Sequence, residues 1–244
     1  MRPLSASDLL TFWERGQTQR PVQRALALLI AACPDASPDE LARLQIGRRD
    51  ALLLTLREWT FGPRLECLAV CPACGERLEL TFNVADIRVT HEDSTRAEDG
   101  ELLLRVADHE VHFRLPDSRD LERLTAGASA RQELLKQCLI RVRHQGNEIA
   151  TDQAPSDLLE AVADKIAQAD PQADVQLALS CARCGHRWQA PFDIVSFFWA
   201  EIHSWACRTL REIHSLASAY GWCEEDILNL SPWRRQVYLE MVGG

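Results

Sequence analysis

Apolar residues over the first 60 positions recur at three- and four-residue steps, the spacing that lays one stripe along an α-helix. Leu9, Leu10, Phe12 and Trp13 follow Ser7-Asp8 and stop at Gly16, predicting a short first helix. Pro21 suits the first turn of a second helix, which runs over residues 22–32 and closes at Cys33-Pro34. Ser37-Pro38-Asp39-Glu40 reads as an N-cap, a first-turn proline and two acids favoured by the helix dipole. A break near Gly47 then precedes a helix over residues 48–60, ended by Gly62-Pro63.

Beyond Gly62 the period changes. Residues 65–70 and 78–82 carry strand character, the second run alternating apolar and polar positions. Residues 91–100 are polar and acidic, with loop composition. Residues 102–106 and 111–115 flank a turn from Ala107 to Glu110, and Pro116 ends that hairpin. Helices return over 117–124, 131–143 and 158–169, the last opened by Pro155-Ser156-Asp157 and stopped by Asp170-Pro171. A strand over 175–179 follows. From Asp193 one long helix runs to Tyr220, where Gly221 is a natural C-cap. A short helix over 224–229 and a last one opened by Ser231-Pro232 complete the chain. The pattern predicts an α+β fold, mainly α-helical, with a small β insert built around two zinc-knuckle hairpins. Its segments are a helical block over 1–62, the β insert with the first knuckle over 63–116, a helical segment over 117–174, and the second knuckle with the C-terminal helices over 175–244. All are expected to pack as one unit.

The two knuckles are a repeat. CPACGERLELTF at 71–82 and CARCGHRWQAPF at 181–192 share CxxCG, an Arg three positions after the second Cys, and a Phe eleven positions after the first. Glycine after the second cysteine permits positive φ. Two such turns supply four thiolates, Cys71, Cys74, Cys181 and Cys184, for one tetrahedral zinc ion, and a closed four-sulfur shell is structural, with no open position for catalysis. A thioredoxin-like reading would need a helix after the first CxxC, where the sequence reads as strand. His186 is a fifth candidate ligand and is read as a surface residue. Cys33, Cys67, Cys138, Cys207 and Cys223 read as small buried hydrophobes.

The long helix carries its own echo, EIHSWA at 201–206 and EIHSLA at 212–217. Eleven residues make three turns plus about 20°, so His203 and His214 share a face roughly 16 Å apart and cannot share a metal. That Glu/His stripe is expected to face solvent or a partner. Residues proposed for a partner surface are Trp199, Trp205, Tyr220, Trp222, Arg234, Arg235 and Tyr238, with Arg234 and Arg235 solvated or partner-facing.

Composition narrows the classes. The 244 residues are 46% hydrophobic and 26% charged, as in ordinary globular proteins. A net charge of −9 opposes nucleic-acid binding. The start lacks a signal-peptide core, and the longest apolar run, residues 25–33, is far short of the roughly 20 residues that span a bilayer. A soluble protein that stays in a reducing compartment is expected, where nine cysteines favour metal over disulfides. No GxSxG, HExxH, Walker or GxGxxG motif occurs, so neither an enzyme nor a small-molecule substrate is expected. His109 and His112, beside Asp108 and Glu110, read as solvated hairpin residues.

Residues 214–239, HSLASAYGWCEEDILNLSPWRRQVYL, resemble the terminal helices of the T4-type phage baseplate family, which includes baseplate hub assembly chaperones. LSASDLL at 4–10, IGRRD at 46–50 and the two CxxCG turns are similar to members encoded beside extracellular contractile injection systems. The resemblance implies a component or assembly chaperone of a contractile tail, partnered by baseplate or spike-hub proteins, in the cytoplasm or the finished particle. It implies no chemistry. The competing reading is a zinc-ribbon adaptor binding nucleic acid or another protein.

Overall fold

The structure, a computed structural model, describes residues 1–89, 100–124, 127 and 129–243. Most of the acidic 91–100 stretch, and Gly244, lie outside the described residues.

Four helices open the chain: α1 (Ala6–Gly16), α2 (Pro21–Ala32), α3 (Pro38–Ala42) and α4 (Ile46–Phe61). The first starts earlier than Ser7-Asp8 suggested, because Ser5 and Asp8 form a reciprocal capping box. Ser37 and Glu40 do the same for α3. Gly47 is no break. It lies within α4, where an added Cβ would fall 1.8 Å from Asp170 Oδ1, and its N–H donates to Asp170 Oδ2 at 2.9 Å. Glycine is needed there for a close approach, which looks in sequence like a helix interruption.

Strands β1 (Arg64–Val70) and β2 (Arg77–Asn83) form an antiparallel hairpin leading into α5 (Val84–Ile87). A four-stranded antiparallel sheet follows, ordered β3 (Glu101–Val106), β4 (His109–Arg114), β5 (Leu139–His144), β6 (Asn147–Ile149). Its first turn is tighter than expected, since His109 and Glu110 already belong to β4 and Ala107 takes a φ of 47°. Between β4 and β5 lie α6 (Ser118–Arg123) and α7 (Ala130–Cys138). The helix expected over 131–143 therefore ends at Cys138. Val142 opposite Val111 and Leu139 opposite Phe113 are buried in the sheet, and that pairing overrides a helical spacing. Then come α8 (Ser156–Ala169), hairpin β7 (Gln176–Ser180) with β8 (Arg187–Pro191), and the helices α9 (Ile194–Tyr220), α10 (Glu224–Leu228) and α11 (Pro232–Gly243). The fold is α+β and mainly helical, with small antiparallel sheets.

Among the described residues three apolar clusters hold it. The largest joins α1, α2 and α4 to the first half of α9, through Leu28, Leu53, Leu56, Phe198 and Ile202, and takes in Leu65 from β1. The second packs α7 and α8 on the four-stranded sheet through Phe113, Val142, Leu158 and Val162. The third sets Ala206, Ile213 and Leu216 of α9 against Leu10 and Ile227. Between the first and second runs a polar seam of buried Arg49, Asp50, Asp117, Ser118, Asp120, Asp170 and Gln172.

Candidate metal centre

Both knuckles are built alike. After β1, the Cys71 N–H donates to Glu76 O at 2.8 Å and the Gly75 N–H to Cys71 O at 2.9 Å. After β7, Cys181 N–H donates to His186 O and Gly185 N–H to Cys181 O, both at 2.9 Å. Gly75 and Gly185 take φ of 73° and 72°, the left-handed region that their lack of a Cβ permits. The repeated Arg77 and Arg187 each open the outgoing strand, opposite Val70 and Ser180. The repeated Phe82 and Phe192 meet edge to face, with ring centroids 5.8 Å apart. Sequence identity at matched positions has become spatial correspondence.

The two turns converge. All four sulfurs lie within 4.8 Å of one another, with Cys71 Sγ 3.7 Å from Cys184 Sγ and Cys74 Sγ 3.6 Å from Cys181 Sγ. Those separations are far beyond a disulfide bond of about 2.05 Å. They match a tetrahedron around a metal with bonds of about 2.3 Å, whose edges are roughly 3.8 Å. Cys71 and Cys181 are buried, Cys74 half-buried and Cys184 exposed. Arg183 on one turn bridges Glu76 on the other at 2.9 Å. His186 does not join the group. Its ring stacks on Trp188 with centroids 5.8 Å apart.

Charge makes the same point. The Cys181 thiol is brought down to about 7, first by the Cys184 backbone N–H and then by that of Arg183, with burial opposing. Cys74 is pushed up to about 12: the Glu76 N–H favours its thiolate, but burial and the thiols of Cys184, Cys181 and Cys71 outweigh it. A cation among the sulfurs would offset the crowding that holds the Cys74 proton on, so the donor set fits a divalent metal.

The family described as T4 bacteriophage base plate protein matches residues 4–199. The chain belongs to that family. No curated protein and no solved structure matches it. This base plate protein is matched from α1 through both knuckles to the start of α9, whereas HSLASAYGWCEEDILNLSPWRRQVYL lies beyond the matched residues. Among its described residues no helix is long and apolar enough to cross a membrane.

The aromatic and basic residues of the C-terminal helices have varied surroundings. Trp199 is half-buried, with the Arg24 guanidinium 4.0 Å above its ring and Phe12 edge-on at 5.6 Å. Trp205 is half-buried between the first and third clusters. Tyr220 stacks on Trp222 at 4.7 Å, and Tyr238 meets Trp222 at 4.9 Å, so these rings close the turn from α9 into α11. Arg234 is exposed. Arg235 is buried instead of solvated, its Nε 2.9 Å from Glu212 Oε2. In the Glu/His stripe, His203 and His214 are exposed as expected, whereas Glu201 and Glu212 are half-buried and bonded within the chain. Glu201 accepts from buried Arg57, at 2.8 Å to Nε, and His203 accepts from Trp13 Nε1 at 3.0 Å. The echoed glutamates are thus two anchors for two arginines. Trp233, 77% exposed, and Met241 were missed as surface residues. Their spacing of eight on one helix face could have revealed them. His112 binds Glu101, and His109 faces His144 with ring centroids 4.4 Å apart.

Proposed function

We propose that the chain is a non-enzymatic component or assembly chaperone of a contractile tail or injection-system base plate, clamped by one structural zinc ion. The convergence of four sulfurs from two repeated turns carries the metal part of this reading. A four-thiolate shell leaves no open coordination position, so zinc here would hold chain to chain and activate nothing. The clamp joins the β1–β2 hairpin to the β7–β8 hairpin, whose outgoing strand runs into Asp193, the N-cap of α9. It thereby fixes the direction of the long helix and of the aromatic cluster at its far end. Base plate and spike-hub proteins are the proposed partners, engaged through Trp199, Trp205, Tyr220, Trp222, Arg234, Arg235 and Tyr238 and through the exposed Trp233. Of these, Tyr220, Trp233 and Arg234 are the exposed ones. Trp199 and Arg235 would act by setting the helix positions, given their contacts within the chain.

Elemental analysis of purified protein should find about one zinc and no stoichiometric iron, the other metal that tetrahedral sulfur sites accept. Removing the metal should lower the melting midpoint by about 10 °C or more, because binding is coupled to folding. A metal-free chain melting like the metal-bound one rules out the clamp. Affinity capture from cells expressing the neighbouring tail genes should recover a base plate component. Recovery of none, with intact particles after gene deletion, rules out the assembly role.

A further inference from the structure

Between the two knuckle hairpins lies an open cleft of about 760 Å³, within the size range of ligand sites. Residues 79–82 of β2 line one side, and residues 175–179, in and before β7, line the other. Successive residues of a strand point to opposite faces. A wall made of consecutive residues is therefore a strand edge, and a face would contribute alternate ones. Among the described residues β2 pairs only with β1, and β7 only with β8. Each accordingly presents an unpaired edge to the cleft. β2 runs away from its knuckle and β7 runs toward its own, so with both knuckles meeting at the sulfurs the two edges are antiparallel.

Unpaired edges are templates for another strand. At about 3.3 Å per residue, the lined stretch accommodates four to five residues of guest backbone. Apolar Leu80, Phe82, Leu177 and Leu179 supply contacts for alternate guest side chains. The rim carries Glu79, Asp86 and Asp174, all exposed and none paired with a cation among the described residues. Arg88, the one basic lining residue, is bonded to Thr55 Oγ1 at 3.1 Å and to Ala51 O on α4. The cleft is thus apolar inside and negative at its mouth.

We propose that this cleft accepts an extended segment of another polypeptide, alternately apolar and basic, as a central strand between β2 and β7. The result would be one five-stranded sheet, β1-β2-guest-β7-β8.

The test is an amide NMR titration of the full chain as purified with acetyl-Lys-Val-Lys-Val-Lys-Val-amide. Amides of residues 79–82 and 175–179 should shift, with a dissociation constant of about 1 mM or tighter. The same peptide with Glu for Lys should bind at least tenfold more weakly. N-methylation of the valine amides, which removes backbone donors and leaves the side chains, should also weaken binding at least tenfold. In the double variant Glu79→Lys with Asp174→Lys the preference should invert toward the acidic peptide. Both positions are exposed, and unchanged metal content and melting would confirm the fold. Absence of shifts at those amides, equal binding of the N-methylated peptide, or an unchanged charge preference in the double variant would each overturn the proposal.

Discussion

Asp50 lies in the polar seam with Arg49 Nη2 2.7 Å from its Oδ1, and burial nevertheless raises its pKa to about 6, with the charges of Asp193 and Asp170 adding to the rise. A carboxyl raised in the folded state binds more protons there than in the unfolded chain between pH 4 and 6. Its contribution to stability is full below that window and is lost as pH rises through 6. The loss is on the order of 2–3 kcal/mol. Asp50→Asn lacks this titration, so the wild-type urea midpoint should fall relative to the variant's between about pH 4 and 6 and run parallel to it outside that window. Absolute stability of the variant falls as well, since Arg49 loses its carboxylate. A wild-type profile parallel to the variant's across pH 4–7 contradicts the assignment. Gly47 sits in the same seam. Gly47→Ala would force its Cβ into the Asp170 carboxylate, and overpacking of this kind costs about 1–3 kcal/mol. An unchanged denaturation midpoint would show that Asp170 moves freely.

At the scale of elements, α9 carries the two glutamate anchors at different depths. Arg57 is 2% exposed and engaged by Glu201, with its guanidinium over the ring of Phe197, which packs against the largest cluster. Glu201→Ala leaves a buried guanidinium without its carboxylate, a loss of about 3–5 kcal/mol that should lower global stability. Glu212 holds only Arg235 of α11, together with exposed Arg208. Glu212→Ala should therefore speed hydrogen exchange in α11 while leaving the main transition nearly unchanged. Equal loss of global stability in both variants would show that the C-terminal helix folds inseparably from the rest. The long helix was legible in sequence because its apolar stripe and Gly221 are local signals, and the cysteine site because a motif occurs twice. The anchors were not legible. A glutamate that meets an arginine 144 positions away has the same local sequence as a solvated one. The strand Leu139–His144 was hidden for a related reason, since only its partners in β4 distinguish it from the end of a helix.

At the scale of the molecule, the sulfur cluster belongs to the same assembly as the first apolar cluster, through Leu65, Phe82, Leu177 and Phe192. The second apolar cluster contains no knuckle residue. Chelation should accordingly expose both knuckle hairpins and the first turn of α9 to hydrogen exchange, while β4, β5 and α8 keep most of their protection. Uniform loss of protection would mean that the seam transmits the clamp's stability to the four-stranded sheet. The family match extends from α1 into α9 and includes both turns. The helices α10 and α11 lie beyond the matched residues and pack on the second half of α9 through the third cluster.

The distance along the chain between the paired turns sets a clock. Cys74 and Cys181, neighbours in space, stand 107 positions apart. At roughly 5–20 residues per second on the ribosome, the first turn waits about 5–20 s for the second to be made. During that interval two thiols stand alone in the growing chain, able to hold a metal only loosely or lose it to a competitor. The moment at which the four sulfurs meet is thus also the moment at which a nascent chain has committed to α9.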